Sequence, residues 1–146
     1  MAVTSGKISS ISVSKKKGSK KKNIPIAILK EDYGIIGDAH AGSERQISLL
    51  AEESIEKMRH NGLTVASGDF AENITTKGID LIGLKTGSRL KIGKTALLEI
   101  THIGKTCHER CSIYYQAGDC IMPREGVFGR VLKGGTIKPK DRLEAV

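Results

Sequence analysis

The sequence predicts a mainly β fold, β-rich α+β, built as a strongly curved sheet or closed barrel with a few short helices. Three observations point there. The apolar stretches are about strand length and draw on Ile, Leu and Val. Glycine recurs at short intervals from Leu63 onward, with 11 of the chain's 17 there, so many strands must be joined by tight turns. Only one segment combines helical composition with a marked start and stop.

The elements follow in order. Residues 6–13 read as a strand with Ile11 and Val13 on one face, and residues 24–29 as another, with Pro25 near its start and Ile26 and Ile28 in step. The lysine-rich segment between them, residues 15–22, lacks the interleaved aromatics that would stack nucleobases, and is expected to be a solvated loop. Residues 31–42 are broken by Gly34, Gly37 and Gly42, so a polar loop is expected there. After the short apolar stretch 46–50 comes the helix, residues 51–60. Glu52 and Glu53 lie in its first turn, Arg59 and His60 in its last, Asn61-Gly62 stops it, and Ile55 and Met58 form a narrow buried face. Residues 81–84, 90–92, 96–100 and 127–132 are expected to be further strands.

A length of 146 residues with no dividing linker suits one domain over residues 1–146. Aromatics are 3% with no Trp, so the core must rest on aliphatic side chains. No apolar run reaches the roughly 18–20 residues needed to span a bilayer, and the first residues lack a signal-peptide block, so a cytoplasmic protein without membrane contact is expected. Three cysteines cannot complete a disulfide framework and are read as free thiols. The net charge of +8 suits an anionic ligand, nucleic acid among them.

Three segments carry the chemistry. Gly37-Asp38-Ala39-His40-Ala41-Gly42, followed by Arg45, places an acid, an imidazole and a guanidinium in one glycine-rich loop, which can present donors to an anion or simply turn the chain. Gly68-Asp69-Phe70-Ala71-Glu72-Asn73-Ile74-Thr75-Thr76 packs polar groups between apolar ones; Asn73 could meet a heterocycle edge, but a turn with Asn73 serving the backbone is the stronger local reading. Cys107-His108-Glu109-Arg110-Cys111, with His102 before and Cys120 after, is the sulfur-rich part. Cations such as Arg110 and Lys105 favour a thiolate, a nucleophile and a soft metal ligand. Four zinc ligands could also be assembled from the three cysteines with His102 or His108, although the spacing is weak. Cys120, beside Ile121 and Met122, reads as a buried thiol.

Taken together these residues resemble the MOSC domain family, named for the C-terminal part of molybdenum cofactor sulfurases. The marks are Gly34-Ile-Ile-Gly37-Asp38-Ala-His40-Ala-Gly42 with Arg45-Gln46, then Gly68-Asp69-Phe70-Ala-Glu72-Asn73-Ile74-Thr75, then Gly126-Val-Phe-Gly-Arg130-Val-Leu-Lys-Gly134-Gly135, with a cysteine-bearing loop before the last. The resemblance implies the β-barrel fold of that family, which resembles the pyruvate kinase barrel, and a cysteine that carries sulfur as a persulfide or coordinates molybdenum. That cysteine is placed at Cys111, following Arg110, with Cys107 in reserve because the spacing is one residue longer than in the amidoxime-reducing relatives. His40, Arg45 and Asn73, with Asp38 and more weakly Arg130, are implied to face the molybdenum cofactor, a molybdopterin. Pyridoxal phosphate is expected on a partner cysteine desulfurase, not on this chain. Other implied partners are a molybdoenzyme or a cofactor-biosynthesis protein.

The leading expectation is therefore a cofactor-binding or sulfur-carrier protein acting through a reactive cysteine. An oxidoreductase that reduces N-hydroxylated compounds with electrons from a partner uses the same site. A basic barrel binding nucleic acid would show a steep salt dependence, and a zinc-stapled domain would unfold on chelation.

Overall fold

The structure, a computed structural model, describes residues 4–17, 19–104 and 121–146. Its strands are β1 (Ser5–Val13), β2 (Lys22–Ile24), β3 (Ala27–Lys30), β4 (Gly34–Ile35), β5 (Ile47–Ala51), β6 (Ile74–Lys77), β7 (Arg89–Ile92), β8 (Ala96–Ile103), β9 (Val127–Lys133), β10 (Gly135–Ile137) and β11 (Arg142–Ala145). Helix α1 is Glu52–His60, and the short helix α2 is Met122–Glu125.

The main sheet runs β11-β7-β8-β9-β5-β6-β1-β2, and β11 also pairs with β1. That last pairing closes seven strands into a barrel and leaves β2 attached outside the ring. Closure removes the free edges that an open sheet would expose. Neighbours pair antiparallel except β5 and β6, which run parallel and are joined through α1, as a crossover between parallel strands requires. A separate three-stranded sheet, β10-β3-β4, packs beside the barrel.

Alternation along the strands builds two cores. Ile8, Ile11, Ile47, Leu49, Ile74, Leu90, Ile92, Leu98, Ile100, Val127, Val131 and Leu143 fill the barrel. Leu50, Ile55, Met58, Phe70, Ile121, Met122 and Phe128 form a second cluster, in which α1 lies against the barrel's outer face. Each fully buried aliphatic side chain contributes about 1.5–3 kcal/mol.

Helix α1 ends as its sequence predicts: Asn61 N–H reaches Lys57 O at 3.1 Å, and Gly62 at φ 95° donates to Arg59 O at 3.0 Å. Three expectations are corrected. Residues 31–42, expected as a loop, include the two-residue strand β4, which pairs with β3 and buries Ile35. Residues 81–84 bury Leu81 and Leu84 but form turns, not a strand. The strand expected at 24–29 is split into β2 and β3 around Pro25, which has no N–H for a ladder. Ile26 and Ile28 are indeed in step, but on the outer side, at 53% and 51% exposure, while Ala27 and Leu29 are buried.

The loop before β6 is held by two buried polar side chains. Asn73 is fully buried: Oδ1 accepts from Ser48 N–H at 3.0 Å and Ser48 Oγ at 3.2 Å, and Nδ2 donates to Ser12 O at 3.1 Å. It thereby joins β1, β5 and β6 where the ladders begin. Glu72, also fully buried, accepts from Phe70 N–H at 3.2 Å and Thr75 Oγ1 at 3.3 Å. Burial pushes its carboxyl up to about 7, against the pull of the backbone and Thr75 hydrogen bonds.

Two outcomes are expected. Asn73→Ala leaves the Ser48 N–H and Ser12 carbonyl without this partner inside the protein, and should cost about 2–4 kcal/mol in urea unfolding; an unchanged midpoint would show that the amide does not join the strands. For Glu72 the folded carboxyl holds its proton more tightly than the unfolded one. Its stabilising contribution is therefore complete below about pH 4.5 and is lost as pH rises through about 7. Glu72→Gln should remove a pH-dependent loss on the order of 3 kcal/mol between pH 4.5 and 8, read as convergence of the two unfolding curves at pH 4.5 and divergence at pH 8.

Candidate functional site

The site begins with a lysine that the sequence reading placed in solvent. Lys21 is buried, at 4% exposure. Its Nζ lies 2.7 Å from Asp38 Oδ1, 3.0 Å from Ser14 Oγ and 3.2 Å from His40 Nδ1. The lysine segment is solvated at Lys15, Lys16, Lys17, Lys20 and Lys22, but Lys21 turns inward. Nothing local distinguishes it from its neighbours; its acid partner lies 17 residues away.

Asp38 is the hub. Besides Lys21, its Oδ1 accepts from Ser14 N–H at 3.1 Å and its Oδ2 from His40 N–H at 3.0 Å. Burial raises the pKa of such a group, but the bonds from His40 and Lys21 and the ammonium charge outweigh it and hold the carboxyl well below the usual carboxylate range. Ala39 N–H adds a bond to Ser14 O at 2.8 Å, so the β1–β2 and β4–β5 loops are stitched together.

Beyond this knot the β4–β5 loop turns outward. Ser43 Oγ donates to His40 O at 2.6 Å and accepts from Arg45 N–H at 3.3 Å. The loop's far end is pinned by buried Gln46, whose Oε1 accepts from Val131 N–H at 3.0 Å and whose Nε2 donates to Asp32 Oδ1 at 3.1 Å. Arg45 is thus fixed beside β9, with its guanidinium carbon 5.4 Å from the centre of the Phe128 ring.

Lys17, His40, Ser43, Glu44, Arg45 and Phe128 line an open cleft of 380 Å³. Arg45 Nε is buried with no hydrogen-bond partner among the described residues. A buried, charged donor left without a partner is costly, and here it stands in the wall of a cleft that also holds a lysine and an imidazole. Such a set can take an anionic, acceptor-rich group.

The structure brings together His40 and Arg45 and supports them with Asp38. It does not bring the other two there. Asn73 has both ends of its amide engaged within the barrel wall, so the role expected for it toward a heterocycle is corrected to a structural one. Arg130 lies on the same outer face of β9 as Phe128, but its Nε donates to Glu99 Oε1 at 2.9 Å and it does not line the cleft. Lys17, Ser43 and Phe128 were not foreseen as part of the site; Phe128 could have been found from its place in the Gly126–Gly135 motif.

Cys107, Cys111 and Cys120 lie outside the described residues, as does His108, so the expected thiol and the zinc alternative fall there. His102 lies within them, with Nδ1 2.9 Å from Thr101 Oγ1. Gly104 and Ile121, where description stops and resumes, both stand near Phe128: Gly104 N–H bonds Gly126 O at 2.6 Å, and Ile121 packs in the cluster that holds Phe128. Among the described residues no three His, Cys, Asp or Glu side chains gather as a metal site, and no helix is long and apolar enough to cross a membrane.

Comparison with known proteins agrees with this architecture. The YuaD protein from Bacillus subtilis superposes with a TM-score of 0.81 at 19% identity, over 97% of this chain and 95% of that one. YiiM from Geobacillus stearothermophilus gives 0.71 at 21% identity, over 95% and 74%, and YiiM from Escherichia coli gives 0.67 at 18%, over 96% and 69%. At these identities the likeness establishes the fold. No curated protein sequence matches. The MOSC domain profile matches residues 37–144, from the His40 loop to the last strand of the barrel, and the chain belongs to the MOSC domain family.

Proposed function

We propose that this protein binds the molybdenum cofactor in the cleft beside Phe128 and acts in handling that cofactor's sulfur through Cys111. The observation that carries the binding is Arg45: a guanidinium seated on an aromatic ring, with Nε buried and without a hydrogen-bond partner among the described residues, in a cleft shared with Lys17 and His40. A fixed cation whose Nε has no hydrogen-bond partner among the described residues suits the phosphate of a molybdopterin. Arg45, Lys17, His40 and the Ser43 hydroxyl would hold that end, and the donor set fits it.

The bound group would supply a redox-active metal held by the pterin's sulfurs. The described residues would bind and orient its anionic end, while Asp38 and Lys21 keep His40 in place. The thiol is assigned by family resemblance, at Cys111 with Cys107 in reserve. As a sulfur carrier, its thiolate would attack the outer sulfur of a persulfide on a partner desulfurase; a new S–S bond forms on Cys111, the donor's S–S bond breaks, and the donor thiolate leaves. Ligation of molybdenum by the same thiolate is the other use of that atom.

The test is molybdenum retained after anaerobic incubation with purified cofactor and desalting. Wild type should keep the metal and Arg45→Ala should bind about 10- to 100-fold more weakly, the worth of a charge-assisted bond. Cys111→Ala should lose the metal if the thiolate ligates it, or keep the metal but fail to accept persulfide sulfur if it only carries sulfur; Cys107→Ala should match wild type in both. Equal retention by Arg45→Ala, or none by wild type, would contradict the binding reading.

A further inference from the structure

Lys21 has a role beyond neutralising Asp38. A primary ammonium carries three N–H donors and no acceptor. Its Nζ has three partners within hydrogen-bond distance: Asp38 Oδ1 at 2.7 Å, Ser14 Oγ at 3.0 Å and His40 Nδ1 at 3.2 Å. Donors and acceptors match one for one, and the match assigns the third acceptor, because a ring nitrogen facing an ammonium must offer its lone pair. A proton on Nδ1 would meet the ammonium instead. Its other neighbour, Asp38 Oδ2, is 3.7 Å away, beyond hydrogen-bond reach, and already accepts from the His40 backbone N–H at 3.0 Å.

We propose that Lys21 is a positioning residue that holds His40 as the Nε2–H tautomer, so that the imidazole meets the cleft as a hydrogen-bond donor. With Nδ1 turned to Lys21, Nε2 is the ring nitrogen left for the cleft, which His40 lines with a side chain 26% exposed. The second ring nitrogen of a histidine commonly sets what the first can do. Here the consequence is that His40 and Arg45 both donate, and that His40 has no lone pair to offer a ligand as base or metal donor. The cleft therefore selects a group rich in acceptors and poor in protons, such as a phosphate dianion. That selection rests on the cleft being the ligand site proposed above, whereas the tautomer does not.

The experiment is a two-bond proton–nitrogen correlation spectrum of the ¹⁵N-labelled protein at pH 8, with His40→Gln identifying which ring signals belong to His40. In wild type, Nδ1 should resonate as an unprotonated nitrogen and Nε2 as a protonated one, in a single tautomer. A proton on Nδ1, or a mixture like that of free imidazole, would overturn the proposal, and this spectrum decides even if the variant below fails to fold. In Lys21→Met the Asp38 carboxylate loses its ammonium and becomes the nearest charged acceptor for Nδ1, so the tautomer should reverse; an unchanged tautomer in folded Lys21→Met would overturn the role of Lys21. Titration of wild type with inorganic phosphate separates the two readings. A shift centred on the His40 Nε2–H supports the donor cleft, while a correct tautomer without any response to phosphate would count against the cleft as an anion site and leave the tautomer standing.

Discussion

A lysine and an aspartate, both with fully buried side chains and 2.7 Å apart, determine how this end of the barrel is arranged. Two charges removed from water are stable only when each is paired and its remaining donors or acceptors are filled. That condition is met by drawing Ser14 and His40 into the same knot. The β1–β2 loop, which composition alone would leave in solvent, becomes a wall, with Lys17 facing the cleft. Gly68 shows how tightly the wall is built: at φ 93° its carbonyl accepts from Lys21 N–H at 2.8 Å, and a Cβ there would run into the Lys21 carbonyl.

The knot also separates the site's cations into two kinds. Lys21 is neutralised, so it orients and does not bind. Arg45 is held from the other side, by Gln46 bonded to β9 and by the Phe128 ring, and its Nε finds no hydrogen-bond partner among the described residues. One cation, on the β1–β2 loop, is spent on structure, while the other, on the β4–β5 loop, lines the cleft. The barrel contributes the fixed frame: β5 and β9 are paired through Ser48↔Phe128, so the ring beneath Arg45 is set by the same ladder that closes the core.

Much of the fold was legible because its signals are local. Helix α1 carries its own acidic start, basic end and Asn61-Gly62 stop, and β1, β7, β8 and β9 show apolar alternation or short apolar runs. The strands that escaped notice, β4, β6, β10 and β11, have at most four residues and owe their state to neighbours: Thr75 and Thr76, for example, are buried because β1 and β5 flank them. In the site, the glycine-bounded His40 loop and Arg45 could be read directly. Lys21 could not, since three consecutive lysines look alike until Asp38 is brought beside one of them. Asn73 was read through family resemblance as facing a ligand, whereas its own surroundings, two apolar strands and a serine, make it a strand joint. Arg130 failed for a similar reason, its partner Glu99 lying on the adjacent strand.

The most direct measurement is a double-mutant cycle on the ion pair, with Lys21→Met, Asp38→Asn and the combined variant compared by urea unfolding at pH 7. If the pair organises this end of the barrel, each single change should cost about 3–5 kcal/mol by stranding the other group, and the double variant should recover at least about 2 kcal/mol of the summed loss. Additive losses, or singles within about 0.5 kcal/mol of wild type, would mean that the two charges are not coupled and that the loops are placed by something else.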